Sequence, residues 1–167
     1  VAVPGYVVTA VAEGDEVEIP GGSTMLVPDE PMVPTYEVYR EYPSGYRVQD
    51  VVLVQKSGLT TTTGLNIPRF VPAVAGEGEA GPRLAAEGPG WWPETDFFWG
   101  IQENQDGSST LAISIHPFYY NPETTDVRFY QDYRFEIELV TSTVAIDALT
   151  TDAGAYAQGD QVAMALW

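Results

Sequence analysis

The chain has 167 residues, and its seven Lys and Arg against 24 Asp and Glu set a formal net charge of −17. That balance excludes recognition of DNA, RNA or an anionic lipid surface, because phosphate contacts need clustered cations. The absence of cysteine excludes a disulfide scaffold, a thiolate zinc site and a cysteine nucleophile within this chain, and no apolar run approaches the roughly 18–20 residues of a membrane-spanning helix.

Hydrophobic residues make up 44% of the chain, enough for a packed core. The first element is a hairpin, with a strand over Tyr6–Val11, a turn at Glu13-Gly14-Asp15 and a return strand over Glu16–Ile19. Pro20-Gly21-Gly22 ends it. A strand follows near 35–41, beginning Thr35-Tyr36-Glu37-Val38-Tyr39, and Pro43-Ser44-Gly45 turns the chain into a longer one over Tyr46–Lys56. The centre of that strand, Val51-Val52-Leu53-Val54, is apolar on both faces, which predicts burial on both sides or cover by a loop. Lys56 is the only lysine.

Residues 57–96 hold no period of 2 or 3.6 for more than five residues. They carry Thr60–Thr63, five prolines at 68, 72, 82, 89 and 93, and two of the cations, Arg69 and Arg83. Such a stretch predicts one long Pro/Gly-rich loop, mobile unless a partner orders it. It ends in Trp91-Trp92, with Trp99 close behind.

Regular structure resumes at Asp96–Glu103, which is expected to pair with Thr110–His116 through the Asp106-Gly107 turn. In that second strand Leu111, Ile113 and Ile115 alternate with Ala112, Ser114 and His116, giving one apolar face. Pro117 and Asn121-Pro122 read as a proline-bounded turn. A further strand then alternates through Val127, Phe129, Tyr133, Phe135, Ile137 and Leu139, with Arg128, Arg134 and Glu136 on the opposite face, and Thr141–Asp147 extends it. Together these elements predict an all-β, antiparallel β-sandwich over residues 1–147, with about nine or ten strands by the turn count.

Residues 148–167 read as a linker and one strand. Tyr156-Ala157-Gln158-Gly159-Asp160-Gln161-Val162 resembles the opening of the immunoglobulin-like modules of bacterial surface proteins. Val162, Met164 and Leu166 alternate with Ala163, Ala165 and Trp167, so both faces are apolar. A free edge of that kind invites aggregation. The expectation is strand addition through Val162, Met164 and Leu166 to another subunit, giving a homo-oligomer, or to a neighbouring surface-protein module.

Candidate chemistry is sparse. His116 is the only histidine, and the alternation puts it at a solvent-facing strand end. Calcium is the one cofactor the composition permits. Turn carboxylates at Asp106, Glu123 and Asp126 are the candidate ligands, with Asp15, Glu16 and Glu103 beside other turns, although none fits the twelve-residue calcium loop. Trp91, Trp92 and Trp99 would form the stacking platform of a carbohydrate-binding sandwich, against the plainer expectation that sandwich aromatics fill the core.

The run Pro117-Phe118-Tyr119-Tyr120-Asn121-Pro122, followed by Val127-Arg128-Phe129-Tyr130 and the strand ending Phe135-Glu136-Ile137-Glu138, resembles the propeptide domain of gingipain-type cysteine peptidases. That family reads P-x-x-Y-N-P, then an acidic turn, then two short strand motifs. Upstream, Glu30-Pro31-Met32-Val33-Pro34, Tyr42-Pro43-Ser44-Gly45 and Val51-Val52-Leu53 match the family's earlier segment, in the family's order. The resemblance covers residues 21–141. It implies a non-catalytic, extracellular domain that assists folding of a peptidase catalytic domain and covers its active site. A basic side chain offered near an Arg/Lys-selective site would hold such an enzyme latent. The loop does not align residue by residue, so no inhibitory residue is carried over. Arg69 and Arg83 are its candidates as the basic residues of the loop.

Overall fold

A computed structural model describes residues 1–72 and 87–141, and the backbone of 162–166. Among these residues there is no helix. The strands are β1 (Val7–Val11), β2 (Gly14–Glu18), β3 (Ser23–Thr24), β4 (Pro34–Tyr42), β5 (Tyr46–Ser57), β6 (Thr60–Thr63), β7 (Phe97–Glu103), β8 (Ser109–Ile115), β9 (Phe118–Asn121), β10 (Asp126–Phe129), β11 (Asp132–Thr141) and β12 (Val162–Leu166). They form antiparallel sheets ordered β3-β4-β8-β7, β12-β11-β5, β6-β10-β9 and β1-β2.

The core lies between the first two of these sheets. Leu111, Ile113 and Ile115 of β8 are fully buried, as are Phe135 and Ile137 of β11. The Phe97 ring meets the Phe135 ring edge-on at 5.0 Å, which ties the two layers together. Alternation therefore gives the correct inward faces of β8 and β11. Phe129 and Leu139 are buried as expected, and Arg134 is exposed.

The apolar centre of β5 behaves otherwise. Val51 is buried, but Val52 and Val54 are 50% and 47% exposed. The register with β11 slips between Arg134 and Phe135 and again between Glu138 and Leu139. Each slip places an extra β5 residue, Val54 and then Gln49, opposite no partner. These bulges re-aim the strand, so its inward residues are Val48, Val51, Leu53 and Lys56, which stand opposite Leu139, Ile137, Phe135 and Tyr133. Bulges, rather than burial on both sides, explain the apolar run, and they bring the single lysine to the inner face.

Further expectations change. Residues 118–121 are not a turn but β9, which hairpins with β10 through residues 122–125. The long strand read through 127–139 is two strands in different sheets, broken at Tyr130-Gln131, where Tyr130 N–H donates to Pro117 O and Gln131 N–H to Ser57 O. The expected loop also contains structure. Thr60–Thr63 pair with β10, because four β-branched residues suit an extended conformation. The strand-addition residues Val162, Met164 and Leu166 lie on β12, which pairs with β11 of the same chain. The rest of the expected linker and immunoglobulin-like opening, residues 142–161, lies outside the described residues.

Candidate functional site

Beyond β6 the chain is held by a series of backbone bonds. Asn66 and Asp15 clasp each other: Asp15 N–H donates to Asn66 O at 2.8 Å, and Asn66 N–H donates to Asp15 Oδ2 at 2.7 Å. Gly14 permits this approach, since a Cβ there would lie 2.3 Å from Asn66 O. Ile67 is buried. Met32 N–H then donates to Pro68 O, Phe70 N–H to Glu30 O and Asp29 N–H to Phe70 O, all at 2.9 Å. Residues 68–70 thus run extended and antiparallel beside residues 29–32.

Arg69 sits at the centre of this run, opposite Pro31. The bonds that flank the pair belong to Pro68 and Phe70 on one strand and to Met32 and Glu30 on the other. Arg69 therefore occupies a non-hydrogen-bonded position, and its own N–H and C=O face away from the 29–32 strand. Its side chain is exposed, with one guanidinium nitrogen donating to Asp29 O at 2.6 Å. Partial burial raises the Glu30 carboxyl pKa, which the Arg69 charge opposes and the Glu94 and Asp29 charges reinforce. The result is a rigid extended segment that presents one arginine.

The chain re-enters the described structure at Glu87, the hub of a network the sequence did not reveal. The Glu87 side chain is only 6% exposed. It accepts from Lys56 Nζ, from the Arg128 guanidinium at 2.9 Å and from Tyr130 OH at 3.3 Å. Lys56 also donates to Asp96 at 2.6 Å, and Tyr119 OH donates to the same carboxylate oxygen. The ammonium lies over the Tyr119 and Tyr130 rings, 4.7 and 4.4 Å from their centroids. Burial alone would lower the Lys56 pKa, but the hydrogen bonds to Asp96 and Glu87 outweigh it and the net direction is upward. Burial, with the nearby Tyr133 and the Asp96 carboxylate, pushes the Tyr119 hydroxyl far up, so it stays a proton donor. Two cations and two carboxylates on β5, β10 and the 87–96 segment thus neutralise one another. The only signal in the sequence was that Lys56 has no companion lysine.

His116 is not solvent-facing. It is fully buried, against the Phe98 ring at 4.9 Å, because the chain beyond β8 turns inward through Pro117 into a buried β9. Its Nδ1 lies 2.7 Å from Thr95 O. A carbonyl only accepts, so Nδ1 carries the proton, and among the described residues Nε2 has no partner. Burial lowers the His116 pKa, against smaller upward effects of the Thr95 bond and Asp96.

The three tryptophans do not share a surface. Trp92 is 8% exposed and its Nε1–H donates to Pro31 O at 3.0 Å, while its backbone pairs with Tyr120. Trp91 is half-buried under the Arg128 guanidinium at 4.1 Å. Trp99 stands on β7. The turn carboxylates are not gathered either, and no group of three or more His, Asp or Glu side chains suited to a metal ion occurs among the described residues. Asp106 accepts from both Ser108 N–H and Ser108 Oγ, a turn-capping role that also lowers its pKa. Arg83 lies outside the described residues. No described helix is long and apolar enough to cross a membrane.

The fold is all-β, a sandwich-like stack of antiparallel sheets, and it has known counterparts. A chain from the structure describing the zymogenic latency of gingipain K from Porphyromonas gingivalis superposes with a TM-score of 0.57 at 14% identity, over 79% of this chain and 79% of that one. A chain from the complex of the pro- and mature domains of Porphyromonas gingivalis RgpB gives 0.56 at 15% identity, over 86% of this chain and 78% of that one. The chain thus shares its fold with structures of the family that its motifs resemble. No protein-family profile matches the chain, and no curated protein does.

Proposed function

We propose that this chain is the propeptide domain of a gingipain-type cysteine peptidase: a non-catalytic, extracellular domain that assists folding of the catalytic domain and masks its active site until processing. The observation that carries the reading is the 68–70 segment. It is extended, bonded along one side to residues 29–32, and offers the Arg69 side chain together with its outward backbone groups. Peptidases bind substrates extended, with backbone bonds giving affinity and side-chain pockets giving selectivity. A segment already fixed in that form binds with little further loss of conformational freedom. The propeptide fold of the gingipain K and RgpB structures supports the same reading, as does the −17 charge, which favours a cationic partner face.

The experiment is inhibition of the peptidase domain encoded with this chain, titrated with the wild type and with Arg69→Ala and Arg83→Ala. Arg69→Ala should raise the inhibition constant by about tenfold or more, as for removal of a central interface arginine. An unchanged constant removes Arg69 from the role, and a large effect of Arg83→Ala alone transfers it. A wild type that neither inhibits the peptidase domain nor raises its refolding yield ends the propeptide reading.

A further inference from the structure

Three of the described sheet edges are blunted. β3 is two residues long, β6 is four threonines, and β5 is interrupted by two bulges and carries Arg47, Asp50 and Lys56. Short length, bulges and charges are the ordinary ways of preventing edge pairing. β7 has none of them. It ends the order β3-β4-β8-β7, runs seven residues as Phe-Phe-Trp-Gly-Ile-Gln-Glu, and reaches no charge before Glu103.

The register shows which of its backbone groups are free to pair. His116 N–H donates to Asp96 O and Asn104 N–H donates to Ser108 O, so the even-numbered residues of this strand bond to β8. Phe97, Trp99, Ile101 and Glu103 therefore turn their N–H and C=O to the open side, where no described strand pairs with them. Trp99 and Ile101 stand opposite the buried Ile113 and Leu111, on the core side of the sheet. Even so they are 36% and 40% exposed.

We propose that β7 is a strand-addition site for an extended segment of a partner chain that alternates apolar with lysine or arginine residues; on the propeptide reading, which this rests on, that partner is the peptidase domain. Apolar residues of the incoming strand would cover Trp99 and Ile101. On the outer face Gly100 stands beside Ala112 and then Tyr39 of β4, and the −17 charge of the chain favours lysine or arginine at the alternate positions of the incoming strand. Charge selects against the alternative occupant, since a second copy brings another −17 to the same edge.

The test measures binding of the 167-residue chain to the peptidase domain encoded with it, with amide exchange read in the complex. Ile101→Pro deletes one outward N–H and leaves the bonds to β8, a substitution edge strands tolerate. Ile101→Lys keeps the backbone and adds a like charge facing the partner. Each should weaken binding by about tenfold or more, and the Trp99, Ile101 and Glu103 amides should exchange more slowly in the complex, including in the Arg69→Ala chain. A complex formed equally well by both folded variants, with these amides unprotected, overturns the edge proposal and leaves the propeptide reading standing. No complex with the wild type overturns both. A wild type that is dimeric alone and monomeric as Ile101→Lys assigns the edge to a second copy and overturns the proposed occupant.

Discussion

The β8 to β11 region and the connection between β6 and β7 are built on opposite principles. In β8 and β11 every second side chain enters the core, and removing one bond leaves the rest in place. In the connection, order comes from single contacts: the Asn66–Asp15 clasp, the Pro68–Phe70 pairing with residues 29–32, the Trp92 bond to Pro31 and the Glu87 hub. The first region is held by area and the second by named bonds. The second is therefore the place where a functional segment can be shaped without altering the core.

The largest expected effect lies in the first region. Phe135→Ala should cost about 3–5 kcal/mol in urea unfolding, from lost burial and the cavity beside Phe97 and Tyr133. A loss below about 1 kcal/mol would mean that this face is not the core.

The connection should respond less, and locally. Lys56→Met leaves Asp96 with the Tyr119 hydroxyl and Glu87 with Arg128 and the Tyr130 hydroxyl, the two carboxylates being 26% and 6% exposed. The expected loss is about 1–3 kcal/mol, below that of a fully buried pair because solvent reaches the cluster. A double-mutant cycle with Glu87→Gln should show strong coupling. Additive losses would deny that the network acts as one unit.

The His116 effect is smaller and depends on pH. The folded pKa lies below the unfolded value of about 6.5, so the unfolded state binds the proton first. Stability from the neutral ring is complete above that pH and falls as pH drops through it toward the lowered folded value. His116→Phe should flatten this part of the stability–pH curve, and an unchanged slope would assign the acid sensitivity elsewhere.

The smallest stability effect belongs to Arg69→Ala, expected within about 0.5 kcal/mol by thermal melting, since the side chain is exposed and the 68–70 pairing is made by backbone. A loss above about 1 kcal/mol would make Arg69 part of the scaffold and would weaken its claim to face a partner.

Period-2 alternation made the β1-β2, β7-β8 and β11 elements legible, along with the inward positions of Ile113, Phe135 and Ile137, because a strand with one wet face writes its orientation into the sequence. β5 was misread because two bulges shift its phase, and a bulge has no required residue type here. Arg69 was visible as a cation in a Pro-rich stretch, but its extended pose depends on residues 29–32, far away in the chain. Glu87 carried no signal at all.

Composition and alternation thus determined by themselves that this chain is all-β, acidic and without cysteine chemistry, since those properties are summed over residues or repeat every two. Tertiary structure alone decided that His116 is buried, that Lys56 faces inward, that β12 pairs with β11 of its own chain, and that Arg69 is presented with its backbone turned outward. Each of these depends on which distant strand arrives alongside, and pairing between distant segments leaves no local period to read.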